Sequence, residues 1–372
     1  MKLTIKQNKL MEHLNYVIKG ISSKNLIPIL NCIKFELTDE GLYLMSTDNE
    51  IAIKTFLDKK DIESIDQVGE VVVSGRYIYD IIRKLPNETI NIEEVVDSKL
   101  LIYTSTSSFH LNCNNASEFP NLDLEDNKNP IYISKKGFKN LISQTSFATS
   151  SQETRPVLTG INFKISGNKL ECTATDSYRL AKKTITLEET LKEDINIIIP
   201  TKNLLELTRL LGEEDNLEIH IFSNKVIFKF DTIVMMSRLI NGTYPDTSKL
   251  IPTEFALEMK TSLSHFYDSI DRASLLTNEA DKNTIKLESK GTEIIVSSNI
   301  PEIGNVEEKL EVVKNNDSDI KIAFSSKYMM EALKSFDSEE ICLLFNGEIK
   351  PIIVKNPDSD DLIQLILPIR TY

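Results

Sequence analysis

Apolar positions recur at helical spacing in six stretches of the chain and alternate at strand spacing between them. One family of stretches reads "SGRYIYDIIRKL" from Ser74, "PTKNLLELTRLL" from Pro200 and "SSKYMMEALKSF" from Ser325. Each offers a small hydroxyl residue suited to a helix N-cap, then a basic residue, then one apolar face. The faces are Ile78, Ile81, Ile82 and Leu85, then Leu204, Leu207 and Leu211, then Met329, Ala332, Leu333 and Phe336. A second helix family precedes each of these: Leu10, Leu14 and Val17; Phe138, Leu141, Ile142 and Thr145; Leu263, Phe266, Tyr267 and Ile270. Between the helices, runs such as "GLYLMSTD", "KLECTATD", "TEIIVSSN" and "KVIFKF" predict strands.

The basic residues Arg76, Lys202 and Lys327 lie 126 and 125 residues apart. A period this long indicates tandem domains rather than a solenoid of small repeats. The pattern predicts an α+β fold of three copies of one unit, each with two helices packed on antiparallel sheets. The predicted limits are 1–128, 129–252 and 253–372.

The stretch "TATDSYRLA", Thr173 to Ala181, crowds Asp176, Tyr178 and Arg179 together and invites a catalytic reading. Comparison of the copies argues otherwise. The Thr-Asp pair occurs as Thr47-Asp48 and Thr175-Asp176, whereas the third copy has Ser298-Asn299. A pair shared by two copies and softened in the third is a turn feature, with Asp bonding nearby backbone. The enzyme alternative is a hydrolase with Asp48 and Asp176 as paired carboxylates converging on one pocket, with or without a metal.

Composition narrows the classes further. Hydrophobic residues make up 41% and charged residues 27% of the 372, which is ordinary for a globular chain, and no apolar run is long enough to span a bilayer. The charged start "MKLTIKQNKLMEHL" does not read as a signal peptide, so a cytoplasmic location is expected. Cys32, Cys113, Cys172 and Cys342 are scattered without a CxxC pair, as are His13, His110, His220 and His265, so neither a zinc site nor a nucleophile motif is apparent. No glycine-rich phosphate loop occurs. The net charge of −13 taken alone argues against a nucleic-acid partner. Lys and Arg nevertheless concentrate in the helical stretches, which leaves the remainder more acidic than the whole.

Eight stretches in order resemble the β subunit of bacterial DNA polymerase III, the sliding-clamp family. They are "IPILNCIKF", "SGRYIYDIIRKLP", "FPNLD", "RPVLTGINF", "TATDSYRLA", "YPDTSKLIP", "RASLLTNE" and the terminal "LILPIRTY". The resemblance implies a non-catalytic processivity factor without cofactor or metal. It implies a head-to-tail homodimer closing as a ring around duplex DNA, with helices lining the hole, located in the cytoplasm at the nucleoid. It also implies that replicative polymerase, clamp loader and repair proteins dock through short linear peptides. A β-rich scaffold that binds such peptides without encircling DNA is the remaining alternative.

Carried over by motif, the DNA contacts are Lys24, Arg76, Gln152 and Lys249. The peptide cleft is Leu158, Thr175, Ser177, Tyr178, Arg179, Leu180, Pro245, Leu250, Pro351, Leu365, Ile366, Leu367, Pro368, Ile369 and Arg370. Ser177 and Tyr178 stand where other members often carry Gly and His, and Lys24 and Lys249 where Arg is frequent. At the joint between subunits, Phe109 and Leu111 on an edge strand are expected against Leu275 and Leu276 of the other chain.

Overall fold

The computed structural model describes residues 1–22, 26–96, 98–126, 129–213 and 215–370. Six helices fall where the apolar periodicity puts them: α1 (Gln7–Val17), α2 (Gly75–Lys84), α3 (Lys135–Ser143), α4 (Thr201–Leu210), α5 (Leu263–Ser274) and α6 (Ser326–Leu333). Their inward positions are fully buried, including Leu10, Leu14, Ile78, Ile82, Phe138, Ile142, Leu204, Phe266, Ile270 and Met329. Each such side chain contributes about 1.5–3 kcal/mol through removal from water. The hydroxyl residues before α2 and α6 do not cap. Ser74 and Ser325 make no side-chain cap bond, whereas Ser262 accepts the His265 N–H at the start of α5.

The chain divides into two compact units, Met1–Phe138 with Lys202–Leu239, and Lys139–Thr201 with Ile240–Tyr372. The second repeat is thus divided between the two, because sheets run continuously across repeat boundaries.

In the first unit, a sheet of 13 described strands is antiparallel throughout. Its repeat junction joins Ile51–Asp58 of the first copy to Ile233–Arg238 of the second, with Thr55 opposite Ile233 and Ile51 opposite Ser237. Against this sheet α1 and α2 lie side by side. The Tyr79 hydroxyl donates to Asn15 Oδ1 at 3.0 Å, and Gln7 Nε2 donates to the Ile82 carbonyl at 2.7 Å.

In the second unit a nine-stranded and a four-stranded sheet enclose a core around Met259, Phe266, Phe324, Met329 and Ile366. Here the repeat junction joins Arg179–Thr186 of the second copy to Ser359–Ile366 of the third, with Arg179 opposite Ile366 and Lys183 opposite Leu362. Both junctions follow one rule. The strand after the Thr-Asp turn of one copy pairs with the last strand of the next.

Candidate functional site

The Thr-Asp turns have the same construction in both copies. Thr47 Oγ1 donates to the Ile51 carbonyl at 2.7 Å and Thr175 Oγ1 to the Arg179 carbonyl at 2.6 Å. Asp48 Oδ1 accepts the N–H groups of Glu50 and Ile51, and Asp176 Oδ1 accepts those of Tyr178 and Arg179. The residue at the apex has positive φ in each, Asn49 at 75° and Ser177 at 79°. The carboxylates that the enzyme alternative needs are therefore turn ligands of their own backbone.

In the second unit this turn borders an apolar patch. Leu180 and Leu365 face each other across the strand pair and cluster with Leu344 and Ile353, against Ile251 and Phe255. Leu158 is buried beside Ile198 and Tyr244. Thr175 and Ile366 are buried as well. Above this floor Tyr178 is 60% exposed, and Leu250, Leu367, Ser177, Pro245 and Arg370 are exposed. Pro351, Pro368 and Ile369 are half-buried. The terminal segment is tied down by backbone bonds, from the Leu367 N–H to the Tyr178 carbonyl at 2.9 Å and from the Ile369 N–H to the Ala323 carbonyl at 2.7 Å.

Arg179, carried over by motif as part of the peptide cleft, is held from behind the turn. It is 9% exposed. Its Nε donates to Asp176 Oδ2 at 3.1 Å and its Nη1 to Glu331. The guanidinium lies 4.5 Å from the Tyr328 ring centroid and 5.4 Å from that of Phe147. Arg179 thus braces the turn from behind, and the exposed neighbour is Tyr178.

Phe109 and Leu111 sit on the strand Ser108–Asn114, opposite the buried Ile102 and Leu100. Phe109 is 36% exposed. One edge of this strand pairs along Lys99–Tyr103, while the other meets its neighbour only at Cys113 and Asn114. In the second unit Leu275 is 79% exposed and Leu276 half-buried just after α5. A feature missed in the sequence lies beside them. The strand Gly304–Glu311, which follows Ser298-Asn299, is an edge of the four-stranded sheet and, among the described residues, pairs on one side only. Its alternation was visible in "GNVEEKLE", but nothing in those letters marks an edge.

Of the four DNA-contact positions, Lys24 lies outside the described residues, and Arg76, Gln152 and Lys249 are exposed. Lys19, Lys84, Lys136, Lys202 and Lys327 are exposed on or beside the helices. Other helical cations are engaged within the chain, among them Lys9 with Asp61, Arg83 with Asp80 and Arg272 with Glu308, while Lys260, on the strand before α5, pairs with Glu340. Lys135 must be removed from any basic surface. It is 2% exposed, with its ammonium 2.8 Å and 3.0 Å from the two Asp231 oxygens.

The scattered cysteines are free thiols, and burial pushes Cys113 up to about 11. The fold does gather Asp126, Glu218 and His220 with ligand atoms within 4.8 Å of one another, a grouping that linear spacing does not suggest. Within it, His220 Nε2 is 2.6 Å from Glu218 Oε1 and Asp126 is paired to Lys229.

A repeated helix-pair fold with basic exposed helix positions, turn-bound carboxylates and open strand edges defines a tethering protein of the clamp class. Residues 1–123, 132–246 and 248–370 match the N-terminal, central and C-terminal domains of the DNA polymerase III beta subunit. The chain is 39% identical to the beta sliding clamp of Bacillus subtilis (strain 168) and 40% identical to that of Staphylococcus aureus (strain MW2), covering 100% of both chains in each case. The crystal structure of the Bacillus subtilis DNA polymerase sliding clamp matches with a TM-score of 0.97 at 38% identity over 100% of both chains. The beta chain from Streptococcus pneumoniae TIGR4 gives 0.94 at 31% identity, also over 100% of both. The chain belongs to the DNA polymerase III beta subunit family. Its function is that of a DNA sliding clamp, a non-catalytic processivity factor.

Proposed function

We propose that the chain acts as a head-to-tail homodimer that closes around duplex DNA, with one clamp domain in each of 1–128, 129–252 and 253–372. The observation that carries this reading is the junction rule. Two strands that follow a Thr-Asp turn are each paired with the last strand of the next copy. The third such strand, Gly304–Glu311, has an open edge, and so does most of Ser108–Asn114, the last strand of the first copy. Joining these two edges between chains completes the series and covers both rows of unpaired backbone groups. A heterologous joint of this kind forms a ring when the rotation closes.

Register follows by counting. Ser46 donates to the Val17 carbonyl at the end of α1, and Ser298 donates to the Ala273 carbonyl at the end of α5. Ser298 thus takes the place of Ser46, one position off the sequence alignment that set Ser298-Asn299 against Thr47-Asp48, and the cross-strand partners of the two serines are Ile53 and Val306. Ile53 pairs with Met235, and the residue equivalent to Met235 in the first copy is Phe109. Val306 of one chain therefore faces Phe109 of the other, with Leu111, Leu275 and Leu276 beside them. Cysteines at positions 109 and 306 test this: oxidation is expected to link two chains in the double variant and not in either single one. A double variant that stays monomeric on oxidising gels at micromolar concentration would contradict the joint.

Exposed Lys19, Arg76, Lys84, Lys136, Lys202 and Lys327, with Lys24, Gln152 and Lys249, supply sequence-independent phosphate contacts suited to sliding. The acidic remainder opposes binding elsewhere on the surface. The patch over Leu180 and Leu365, rimmed by Tyr178, Leu250 and Leu367, takes the apolar anchors of short linear peptides from the polymerase, the loader and repair proteins. The protein works in the cytoplasm, at the nucleoid.

A further inference from the structure

The junction inside the second unit is locked by a buried neutral network. Gln144, just past α3, donates Nε2 to the Ser335 carbonyl at 2.9 Å, beyond the end of α6. Gln364 donates to the Gln144 carbonyl at 3.1 Å and to Ser335 Oγ at 2.9 Å. The equivalent positions at the proposed joint between chains can be counted. Gln144 lies six residues after the buried Phe138, and Arg272 lies six after the buried Phe266. Ser335 lies ten residues after Ser325, and Lys84 lies ten after Ser74. Where the internal junction has Gln144, the joint between chains has an arginine.

That arginine is already aimed. Its Nε donates to Glu308 Oε1 at 3.1 Å, and its Nη2 donates to Glu308 Oε2 at 2.6 Å and to Ser269 Oγ at 3.2 Å. The guanidinium is therefore fixed to α5 and to the open-edged strand Gly304–Glu311. Nη1 has no acceptor among the described residues, although the side chain is half exposed. The counterpart of the Ser335 carbonyl is the Lys84 carbonyl, one of the last of α2, which a helix leaves without an internal partner. Helix C-terminal carbonyls attract cations.

We propose that Arg272 is a charged latch of the joint between chains, donating Nη1 to the Lys84 carbonyl of the partner subunit while Glu308 holds its other face. The proposal rests on the ring reading above and deepens it: the junction that must open for DNA to enter is closed by a charge-assisted hydrogen bond to a helix end, and the permanent junction by buried amides. Salt weakens the former and leaves the latter.

The test is the dimer dissociation constant from sedimentation at several salt concentrations, for the unmodified chain, Arg272→Ala, Arg272→Lys and Leu276→Ala, with far-ultraviolet circular dichroism as the check on folding. A hydrogen bond to a charged group predicts a loss of about tenfold or more for Arg272→Ala, and a smaller part of the salt dependence remaining. Arg272→Lys keeps charge and fold but cannot hold Glu308 and reach the carbonyl together, so it weakens the dimer as well. Should either folded Arg272 variant dimerise like the unmodified chain while Leu276→Ala does not, the ring stands and the latch is wrong. A monomer at every concentration for the unmodified chain overturns the ring reading itself.

Discussion

Gln144 donates its Nε2 to the Ser335 carbonyl at 2.9 Å, and this bond joins the end of α3 to the segment beyond α6 within the second unit. Both residues are buried, and Gln364 completes the network from the terminal strand. Gln144→Ala leaves the buried Ser335 carbonyl without its side-chain donor, while Gln364 keeps its bonds to the backbone carbonyl of residue 144 and to Ser335 Oγ. We predict a loss of about 1–3 kcal/mol in urea unfolding, more than an exposed polar residue of the same helix would give. An unchanged midpoint and slope would show that the network is dispensable.

His13 gives a pH dependence. Its ring is buried on α1 with Nδ1 2.7 Å from Thr55 Oγ1, and burial holds its pKa below the usual imidazole value, against the pull of Glu12 and Asp61. The unfolded chain takes up a proton near the ordinary value of about 6.5 while the folded one resists it. The contribution to stability is therefore complete above that pH and shrinks as pH falls below it. Unfolding free energies measured from pH 7.5 down to 5.5 should fall less steeply for His13→Gln than for the unmodified chain, and parallel curves would remove His13 as the cause.

Ser177 occupies the left-handed region at φ 79°, where the first repeat uses Asn49 at φ 75°. Asn tolerates this region better than Ser. We expect Ser177→Asn to stabilise the protein by a few tenths to about 1 kcal/mol, read as a higher melting temperature. A lower melting temperature would mean that the Ser hydroxyl has a role beyond the turn.

Tyr178 and Leu367 rim the patch over Leu180 and Leu365 while contributing little to the core. Tyr178→Ala and Leu367→Ala should each weaken a fluorescent clamp-binding peptide by about tenfold or more, as loss of an interface anchor does, with melting unchanged. Peptide affinity that survives both changes would place the docking site elsewhere.

Much of this was legible in the letters. A 3.6-residue apolar period is imposed by burial on one helix face, so the three helix pairs and their buried residues follow from spacing, as Phe138 and Phe266 illustrate. The turn role of Asp48 and Asp176 followed from comparing copies. Long-range partners were not legible. Lys135 is one of the cations of a helical stretch, yet its side chain is buried and paired with Asp231, which is half exposed and 96 residues away. The pairing of Arg179 with Glu331, 152 residues away, is likewise invisible in the local stretch. The open edge of Gly304–Glu311 is a statement about which strand is missing beside it, and no local pattern encodes that.

The central claim, that two chains close head to tail into a ring, is tested most directly by solution X-ray scattering with the mass determined on the same sample. A mass of twice 42.2 kDa with a distance distribution of a hollow disc is the predicted result. A mass of one chain, or of two chains in a compact form without a central hole, would contradict it.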